Sequence, residues 1–322
     1  MIDQIRKPVN EEFLKYEKVF KESIDSEQYL LSRIAKHMQS QKGKQIRPIL
    51  VLLAAGITGK ITEDTIYTAV SFEMLHTASL MHDDVVDDTY QRRSRFSVRA
   101  LWNNKAAILS GDYLISKSAS IASKASNRRI TSLLAELGCD LSEGELMQLS
   151  NESQLTIDEP VYLEVIKKKT ANTFAFCTKA GCISVDADEE TQKHLYLFGE
   201  YLGMIFQMKD DIFDYFDTGN IGKPTSNDLK EGKMTLPLIY ALKNAGEKDK
   251  KRILNIIRNR DYKKENLNYI NNFAKEAGGI TYAEKRMEDY KILALDELDF
   301  FPESSYKQSF RDCVDYFMLR NY

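Results

Sequence analysis

The amino-acid sequence predicts an all-α protein built as one large helical bundle. Only six prolines and fifteen glycines occur among 322 residues, so few positions interrupt a helix. Apolar residues recur mainly at helical spacing, whereas the strict alternation of a half-buried strand is almost absent. Because 43% of the residues are hydrophobic, the chain can bury a substantial core, and we expect a single domain over residues 1–322.

Helical periodicity divides the chain into elements. Residues 9–40 are predicted to form two amphipathic helices, with Phe13 and Tyr16 on one apolar face. Further helices are predicted at residues 65–88, 106–122, 135–150 and 160–176. The Gly, Asn and Pro content of residues 217–228 predicts a loop, and residues 232–237 are expected to begin the next helix.

Composition argues against several functional classes. A net charge of −3 gives no basis for nucleic-acid binding, which needs a basic surface. The four cysteines are scattered without a C-x-x-C pair, as expected for thiols in a reducing compartment. The first residues lack the apolar core of a signal peptide, and the longest apolar run, residues 49–57, is too short to span a bilayer. We expect a soluble, cytoplasmic protein.

The pattern D-D-x-x-D occurs twice, and its acidic residues are Asp83, Asp84, Asp87, Asp210, Asp211 and Asp214. On a helix, residues four apart lie on the same face, so two carboxylates of each copy project together and repel one another. Mg²⁺ would offset this repulsion, because it is commonly held by one or two carboxylates together with substrate phosphates. Two such pairs facing each other would form a diphosphate site bridged by metal ions.

A solvated helix face is the alternative interpretation of an acidic pattern in a chain this rich in charge. Both copies, however, follow long apolar stretches and precede basic residues. Arg92 and Arg93 come shortly after the first copy, and arginine binds phosphate through bidentate hydrogen bonds. This context favours a diphosphate site over a surface run of charge.

Three other segments carry cationic or polar residues suited to binding an anion. Lys44 and Arg47 flank the start of a predicted helix, where backbone N–H groups favour anions. His76 lies two helical turns before the first acidic copy, on the same face. Lys169 and Thr170 precede a small apolar residue and are expected to face inward. Each segment alone is also compatible with ordinary surface charge or, for His76, with a core histidine.

With these motifs in place, the chain resembles the trans-polyprenyl diphosphate synthases of the polyprenyl synthetase family over about residues 43–238. The matching segments are Gly43-Lys44-x-x-Arg47-Pro48, His76 to Leu80, Arg92-Arg93, Gly111 to Leu114, Lys169-Thr170, Gln207 with the second D-D-x-x-D, Gly222-Lys223-Pro224, and Gly232-Lys233 to Pro237. The resemblance implies an isoprenoid synthase-type helical bundle around a deep central cavity, assembled as a homodimer. It implies head-to-tail condensation of an allylic diphosphate, such as farnesyl or geranylgeranyl diphosphate, with isopentenyl diphosphate.

The resemblance also implies a function for each matching residue. Isopentenyl diphosphate binding is assigned to Lys44, Arg47, His76 and Arg93, and allylic diphosphate binding to Arg92, Lys169 and Lys223, with Lys233 as a further substrate contact. Three Mg²⁺ ions are expected, with Asp83, Asp87 and Asp210 as main ligands and Asp84, Asp211 and Asp214 as further ligands or supporting residues. Thr170 and Gln207 would line the reacting carbons. Catalysis is thus expected to depend on Asp83, Asp87, Lys169, Thr170, Gln207 and Asp210.

Product length in the family depends on the residues four and five places before the first acidic motif. Here they are Ser79 and Ala78, and both are small. A growing chain is expected to pass this turn toward Leu75 and Phe72, which lie deeper along the same helix. The prediction is a product of about C30 to C50, such as a quinone side-chain precursor, which would be handed to a membrane.

Three alternatives were considered, of which the terpene cyclase is disfavoured by the intact second D-D-x-x-D and by Lys44 and Arg47. A terpene cyclase shares the fold and one D-D-x-x-D, but its second motif typically mixes Asn, Ser or Thr with Glu. The chain is also compatible with a catalytic or non-catalytic subunit of a two-component synthase, or with a short-chain synthase that makes C15 to C20 products. Ser94 and Ser226 stand where the family usually has glycine, which affects loop geometry rather than chemistry.

Overall fold

The computed structural model describes residues 1–40, 43–92, 95–216 and 226–320. Within these ranges the chain is helical almost throughout, which confirms the all-α prediction. The described strands are only two residues long, β1 (Gln91–Arg92) and β2 (Arg95–Phe96). They pair antiparallel, with Gln91 opposite Phe96.

The helices of the first half are α1 (Ile2–Arg6), the 3₁₀-helix Lys7–Val9, α2 (Asn10–Ile24), α3 (Tyr29–Ser40), α4 (Ile46–Thr58), α5 (Glu63–Val86), α6 (Val98–Leu101), α7 (Asn104–Ala122) and α8 (Arg129–Gln154). Those of the second half are α9 (Glu159–Ile166), the π-helix Lys167–Ala171, α10 (Asn172–Ile183), α11 (Glu189–Phe213), α12 (Asn227–Glu231), α13 (Leu236–Lys243), α14 (Glu247–Arg258), α15 (Lys264–Glu276), α16 (Gly279–Asp299) and α17 (Ser305–Leu319). None of these described helices combines the length and the apolar character that crossing a bilayer requires.

Backbone contacts divide the chain into two compact units. Unit 1 consists of Met1–Cys139, Thr173–Gly199 and Leu295–Cys313. Unit 2 consists of Asp140–Asn172, Glu200–Ala294 and Val314–Tyr322. Each unit draws on three separate stretches of the chain, and the expectation of a single domain stays a prediction.

In unit 1, helix α5 carries the first acidic motif and packs along α7 and against α4 and α2. Its first turn is fixed by a capping box, in which Thr62 and Thr65 bond each other's backbone N–H. Helix α4 is buried at every position from Ile49 to Ala55, which makes it the centre of this core. At Gly111 in α7 an added Cβ would lie 2.3 Å from His82 Nε2 of α5, so the glycine permits the close approach of the two helices.

In unit 2, the apolar core is formed by α13, α14 and α15 together with residues before and after the loop. Its buried members are Tyr215, Leu229, Leu238, Ala241, Leu242, Ile253, Ile256, Ile257, Leu267, Ile270 and Ala274. The three isoleucines of α14 recur three and four positions apart, as an amphipathic helix requires. Elsewhere in unit 2, Gly203 of α11 lies against Ala171, where an added Cβ would be 2.5 Å from the Ala171 Cα.

Two of the predicted elements differ from the structure, at the helix 160–176 and at the loop 217–228. The predicted helix at 160–176 is divided by the π-helix Lys167–Ala171, in which the turn widens by one residue. The predicted loop at 217–228 ends earlier, because the Asp214 carboxylate accepts the backbone N–H groups of Asn227 and Asp228 and starts α12. The following helix begins at Leu236, within the segment 232–237 that was predicted to begin it.

Candidate active site

The second acidic motif lies at the end of α11, in unit 2. Asp211 is almost fully buried, and its carboxylate accepts hydrogen bonds of 2.7 Å from Tyr162 Oη and from Gln207 Nε2. Burial raises the pKa of Asp211 to about 6, although both hydrogen bonds lower it. Asp214 caps α12 through hydrogen bonds of 2.9 and 3.1 Å. Burial raises the pKa of Asp214 as well. Both carboxylates are therefore engaged by donors of the protein.

Asp210, the first residue of this motif, is more accessible, with 41% of its side chain exposed. Its Oδ1 lies 2.6 Å from Nη2 of Arg320, which follows α17 directly. Arg320 was not predicted from the sequence, because nothing in the pattern of residues relates position 320 to position 210.

The predicted Lys169 and Thr170 lie in the π-helix of unit 2. Lys169 Nζ is 2.5 Å from Glu145 Oε2 and donates to Gln148 Oε1 at 3.0 Å. Thr170 Oγ1 donates to Gln207 Oε1 at 2.7 Å. Because the Gln207 amide donates in turn to the buried carboxylate of Asp211, Thr170 is tied to the second acidic motif through a single side chain.

Three supporting residues of this network were not predicted: Glu145, Gln148 and Tyr162. Glu145 and Gln148 lie three positions apart on α8, and this spacing was a usable signal, because it places both on one face. Tyr162 lies on α9, remote in sequence from its partner Asp211, and the sequence carries no signal for that contact. Such a contact follows only from the packing of α9 against α11.

A cavity of about 150 Å³ within unit 2 is lined by Lys169, Thr170, Gln207, Asp211 and Lys233. This volume is several times the roughly 30 Å³ that a water molecule occupies in the liquid. Five of the predicted site residues are thus brought together. Lys233 also pairs with Glu231 at 2.6 Å. The predicted Lys223 lies outside the described residues.

The first acidic motif lies at the end of α5, in unit 1. Asp87 follows the helix, and its N–H still donates to the Asp83 carbonyl at 2.8 Å, so the predicted spacing of one turn is retained. Asp84 is buried, and Arg92 Nε donates to its Oδ1 at 2.8 Å. Burial raises the pKa of Asp84, while the Arg92 charge opposes this rise. Arg93, the second predicted arginine, lies outside the described residues.

A second cavity, about 80 Å³ in volume, lies within unit 1 and is lined by Gly43, Gln45, His76, Asp84 and Arg92, among others. His76 and Arg92, which the family resemblance assigns to different diphosphates, therefore line the same cavity.

Lys44 and Arg47 lie beside this segment, at the start of α4. Lys44 is exposed. The guanidinium of Arg47 lies 5.0 Å from the centroid of the Phe174 ring. Pro48 occupies the first turn of α4.

The residues predicted to set product length all lie on α5. Phe72, Leu75 and Ala78 are buried. Ser79 is half-buried, and its hydroxyl donates to the His76 carbonyl at 2.9 Å. None of them carries a charge, and the buried three are apolar, as a surface for a hydrocarbon chain requires.

Both motifs offer carboxylate oxygens, the ligand type that Mg²⁺ prefers. Among the described residues, no group of three or more His, Cys, Asp or Glu side chains is gathered closely enough to hold a metal ion. In each motif the inner carboxylate, Asp84 or Asp211, is already bonded by the protein. These carboxylates fit a Mg²⁺ ion that is bound by few protein oxygens and whose coordination shell is completed by substrate phosphates.

Comparison with known proteins agrees with this chemistry. A family model described as "Polyprenyl synthetase" matches residues 28–273. Octaprenyl diphosphate synthase of Haemophilus influenzae is 32% identical over 100% of this chain and 98% of its own. The geranyl-diphosphate-specific all-trans-nonaprenyl-diphosphate synthase of Rhodobacter capsulatus is 34% identical over 94% and 93%. Heptaprenyl diphosphate synthase component 2 of Bacillus subtilis is 33% identical over 98% and 89%.

Solved structures agree with the fold. A polyprenyl synthase from Caulobacter crescentus, complexed with calcium and isoprenyl diphosphate, superimposes with a TM-score of 0.94 at 27% identity, over 100% of this chain and 98% of that one. A geranylgeranyl pyrophosphate synthase from Bacteroides thetaiotaomicron gives 0.87 at 40% identity, over 99% of both chains. These similarities confirm the predicted isoprenoid synthase-type helical fold, and the chain belongs to the polyprenyl synthetase family of trans-prenyltransferases.

Proposed function

We propose that this prenyltransferase condenses a farnesyl or geranylgeranyl diphosphate primer head-to-tail with isopentenyl diphosphate, to give an all-trans polyprenyl diphosphate of about C30 to C50. The observation that carries the proposal is the similarity, over nearly the whole chain, to relatives named for octaprenyl, nonaprenyl and heptaprenyl products. The small side chains of Ala78 and Ser79 on α5 support it.

The proposed reaction begins with the allylic C–O bond, whose electron pair leaves with the diphosphate. The isopentenyl double bond attacks the resulting carbocation, a new C–C bond forms, and one proton passes to the released diphosphate. Lys169 and Lys233 line the unit 2 cavity, where cationic groups stabilise the charge that develops on the leaving group. Glu145 and Gln148 orient the Lys169 ammonium. Exclusion of water protects the cation from capture.

The proposed Mg²⁺ ligands are the partly exposed Asp83, Asp87 and Asp210. Bound Mg²⁺ would neutralise the diphosphate and favour its departure. Asp84 and Asp211 are proposed as supporting residues, because Arg92 holds one of them, and Tyr162 holds the other. Three ions are proposed on the basis of the family resemblance.

The first test is chain elongation by the purified protein alone, with labelled isopentenyl diphosphate, farnesyl diphosphate and Mg²⁺, followed by sizing of the products. A ladder that ends at one chain between C30 and C50 is the expected result. Absence of turnover in a folded sample with Mg²⁺ would contradict activity of the chain alone. Bacillus subtilis component 2 is by its name one part of an assembly, and that result would favour a two-component enzyme.

The proposed metal ligands are tested by Asp83→Asn, with Asp88→Asn as the matched control. Loss of one ligand carboxylate should lower kcat/KM at least about a hundredfold, since metal stabilisation of the leaving group is worth several kcal/mol. Asp88 is exposed and pairs with Arg99 at 2.8 Å, so its substitution should change the rate by less than about threefold. Equal effects of the two substitutions would argue against metal binding at Asp83.

A short-chain product is the second candidate, favoured by the 40% identity to the geranylgeranyl pyrophosphate synthase. A ladder that ends at C20 would establish it. If the product is long, Ala78→Tyr and Ser79→Phe should both shorten it, because each places an aromatic ring on α5 beside the proposed path. Ser123→Phe, an exposed position, is the control. Unchanged products with normally folded variants would contradict this placement of the path.

A homodimer is proposed from the surface of α7. Ile108, Leu109 and Ile115 are 42%, 67% and 40% exposed, and a cluster of exposed apolar side chains marks an interface. Leu109→Lys should shift the protein toward monomer in sedimentation equilibrium. The proposed location is the cytoplasm, since all four cysteines are free thiols. The apolar product is proposed to pass to a membrane.

A further inference from the structure

Arg320, the residue after α17, is held by contacts on several sides, although its buried Nε has no hydrogen-bond partner among the described residues. Only 8% of its side chain is exposed. Its Nη2 contacts Asp210 Oδ1 at 2.6 Å and donates to the Phe206 carbonyl at 2.7 Å. The guanidinium also lies over the rings of Phe206, Phe213 and Phe317, at 4.2, 5.6 and 5.6 Å from their centroids. The charge is therefore held in one place by contacts on several sides.

This placement has an electrostatic cost that a carboxylate must offset. Lys209, the residue before Asp210, is a second cation in this region. Lys209 also contacts the ring of Phe213, at 5.4 Å. Two cations near one ring repel each other, and the Asp210 carboxylate is the anion in direct contact with Arg320. Arg320 and Asp210 therefore stabilise each other in the metal-free protein.

We propose that Arg320 is a positioning residue that competes with the metal ion for Asp210, so that tight metal binding requires the substrate diphosphate. This inference rests on the proposed function of Asp210 as a Mg²⁺ ligand. A guanidinium within hydrogen-bonding distance of a carboxylate repels a divalent ion bound to the same carboxylate. The diphosphate supplies further oxygen ligands and negative charge, and these overcome the competition. Metal and diphosphate then bind together rather than metal first.

The test measures metal binding directly, with Mn²⁺ as the probe and the electron paramagnetic resonance of free Mn²⁺ as the readout. Titrations are made on the full-length protein, with and without inorganic diphosphate. Arg320→Gln removes the charge but keeps a side-chain donor for the Phe206 carbonyl. Without diphosphate, it should lower the Kd for Mn²⁺ at least about threefold. Diphosphate should then improve Mn²⁺ binding less in the variant than in the wild type.

Three further variants make the result specific. Arg320→Lys restores a charge and should bring the Kd back toward the wild-type value. Arg311→Gln removes an arginine of the same helix that pairs with Glu303, and should leave Mn²⁺ binding unchanged. When Asp210→Asn is combined with Arg320→Gln, the tighter Mn²⁺ binding expected for Arg320→Gln should disappear. Such a double-mutant cycle isolates the coupling of the two side chains.

The inference is overturned if Arg320→Gln binds Mn²⁺ no more tightly than the wild type, including the case in which neither binds. It is also overturned if Arg311→Gln gives the same gain as Arg320→Gln. Failure of the proposed function is seen separately, as absence of prenyl transfer by the wild type. An active wild type with unchanged Mn²⁺ binding in Arg320→Gln would reject this inference alone.

Discussion

The two acidic motifs have the same sequence pattern but different surroundings. In the first, the buried Asp84 pairs with Arg92, a charged partner only eight residues further along the chain. In the second, the buried Asp211 has two neutral donors, Tyr162 from another helix and Gln207 from one turn earlier. Burial raises the pKa of both carboxylates, and the pKa of Asp211, whose two hydrogen-bond donors are neutral, reaches about 6. The same five-residue pattern is thus supported by a charge in one unit and by neutral hydrogen bonds in the other.

A paired acidic motif can therefore be kept in place by two kinds of partner. A local partner such as Arg92 reaches its aspartate from the adjoining hairpin. Neutral partners such as Tyr162 require a second helix to be packed at the correct distance. The second motif should therefore be more sensitive to errors of helix packing than the first.

The largest expected effect follows from the glycines beside the two motif helices. Gly203→Ala places a Cβ 2.5 Å from the Ala171 backbone, whereas Gly111→Ala places one 2.3 Å from the His82 side chain. A side chain can rotate away, but the backbone of the π-helix cannot. Overpacking costs typically 1–3 kcal/mol, so we expect a loss of about 3 kcal/mol for Gly203→Ala and about 1 kcal/mol for Gly111→Ala.

Urea unfolding of the metal-free variants, monitored by circular dichroism, measures both losses of stability. Gly138→Ala is the control, because an added Cβ there meets nothing within 4 Å. A larger loss at Gly111 than at Gly203 would show that the first motif, and not the second, depends more strongly on close helix packing.

The sequence predicted what depends on local spacing and missed what depends on packing. The helix that carries Asp83, its approximate bounds and the grouping of Lys169 with Thr170 all follow from periodicity and residue type. The contact between Tyr162 and Asp211 was not predictable, since the register between α9 and α11 is set by packing rather than by any repeat. Ser226, which stands where the family usually has glycine, has a φ of 63°, in the region that favours glycine, but its stabilising partner was not predicted. A hydrogen bond of 2.8 Å from Asn271 to its hydroxyl holds it there.

The next prediction distinguishes the ion pair that supports Asp84 from the neutral hydrogen bonds that support Asp211. Tyr162→Phe removes one buried hydrogen bond to a carboxylate, and such bonds are worth about 1.5–3 kcal/mol. Arg92→Gln breaks an ion pair between a buried aspartate and an arginine that is 30% exposed, so solvent around the guanidinium reduces the expected loss to about 1 kcal/mol. Added salt should diminish the effect of Arg92→Gln and leave that of Tyr162→Phe unchanged, in urea unfolding at 50 mM and 500 mM NaCl. Equal salt dependence would contradict the distinction.

A weaker effect is expected on the pH dependence of stability, and it should differ between the two motifs. Burial raises the pKa of Asp211 from its ordinary value of 3.8 to about 6, so the folded metal-free protein takes up this proton before the unfolded chain does. Stability from this group therefore rises as the pH falls from 7.5 to 5, by about 1 kcal/mol. Asp211→Asn removes the titration, and its stability relative to the wild type should fall over the same interval. The hydrogen bonds that Asp211→Asn removes contribute equally at both pH values. The change in relative stability between pH 7.5 and 5 therefore measures proton uptake by Asp211.

Asp84→Asn is the matched variant for this measurement. Burial raises the pKa of Asp84 too, but the Arg92 charge opposes the rise, so its stability relative to the wild type should change less between pH 7.5 and 5. Guanidinium unfolding in the presence of a chelator measures both variants in the absence of divalent ions. A greater pH dependence for Asp84→Asn than for Asp211→Asn would mean that the arginine does not compensate the buried charge. The contrast between the two motifs would then have to come from burial alone.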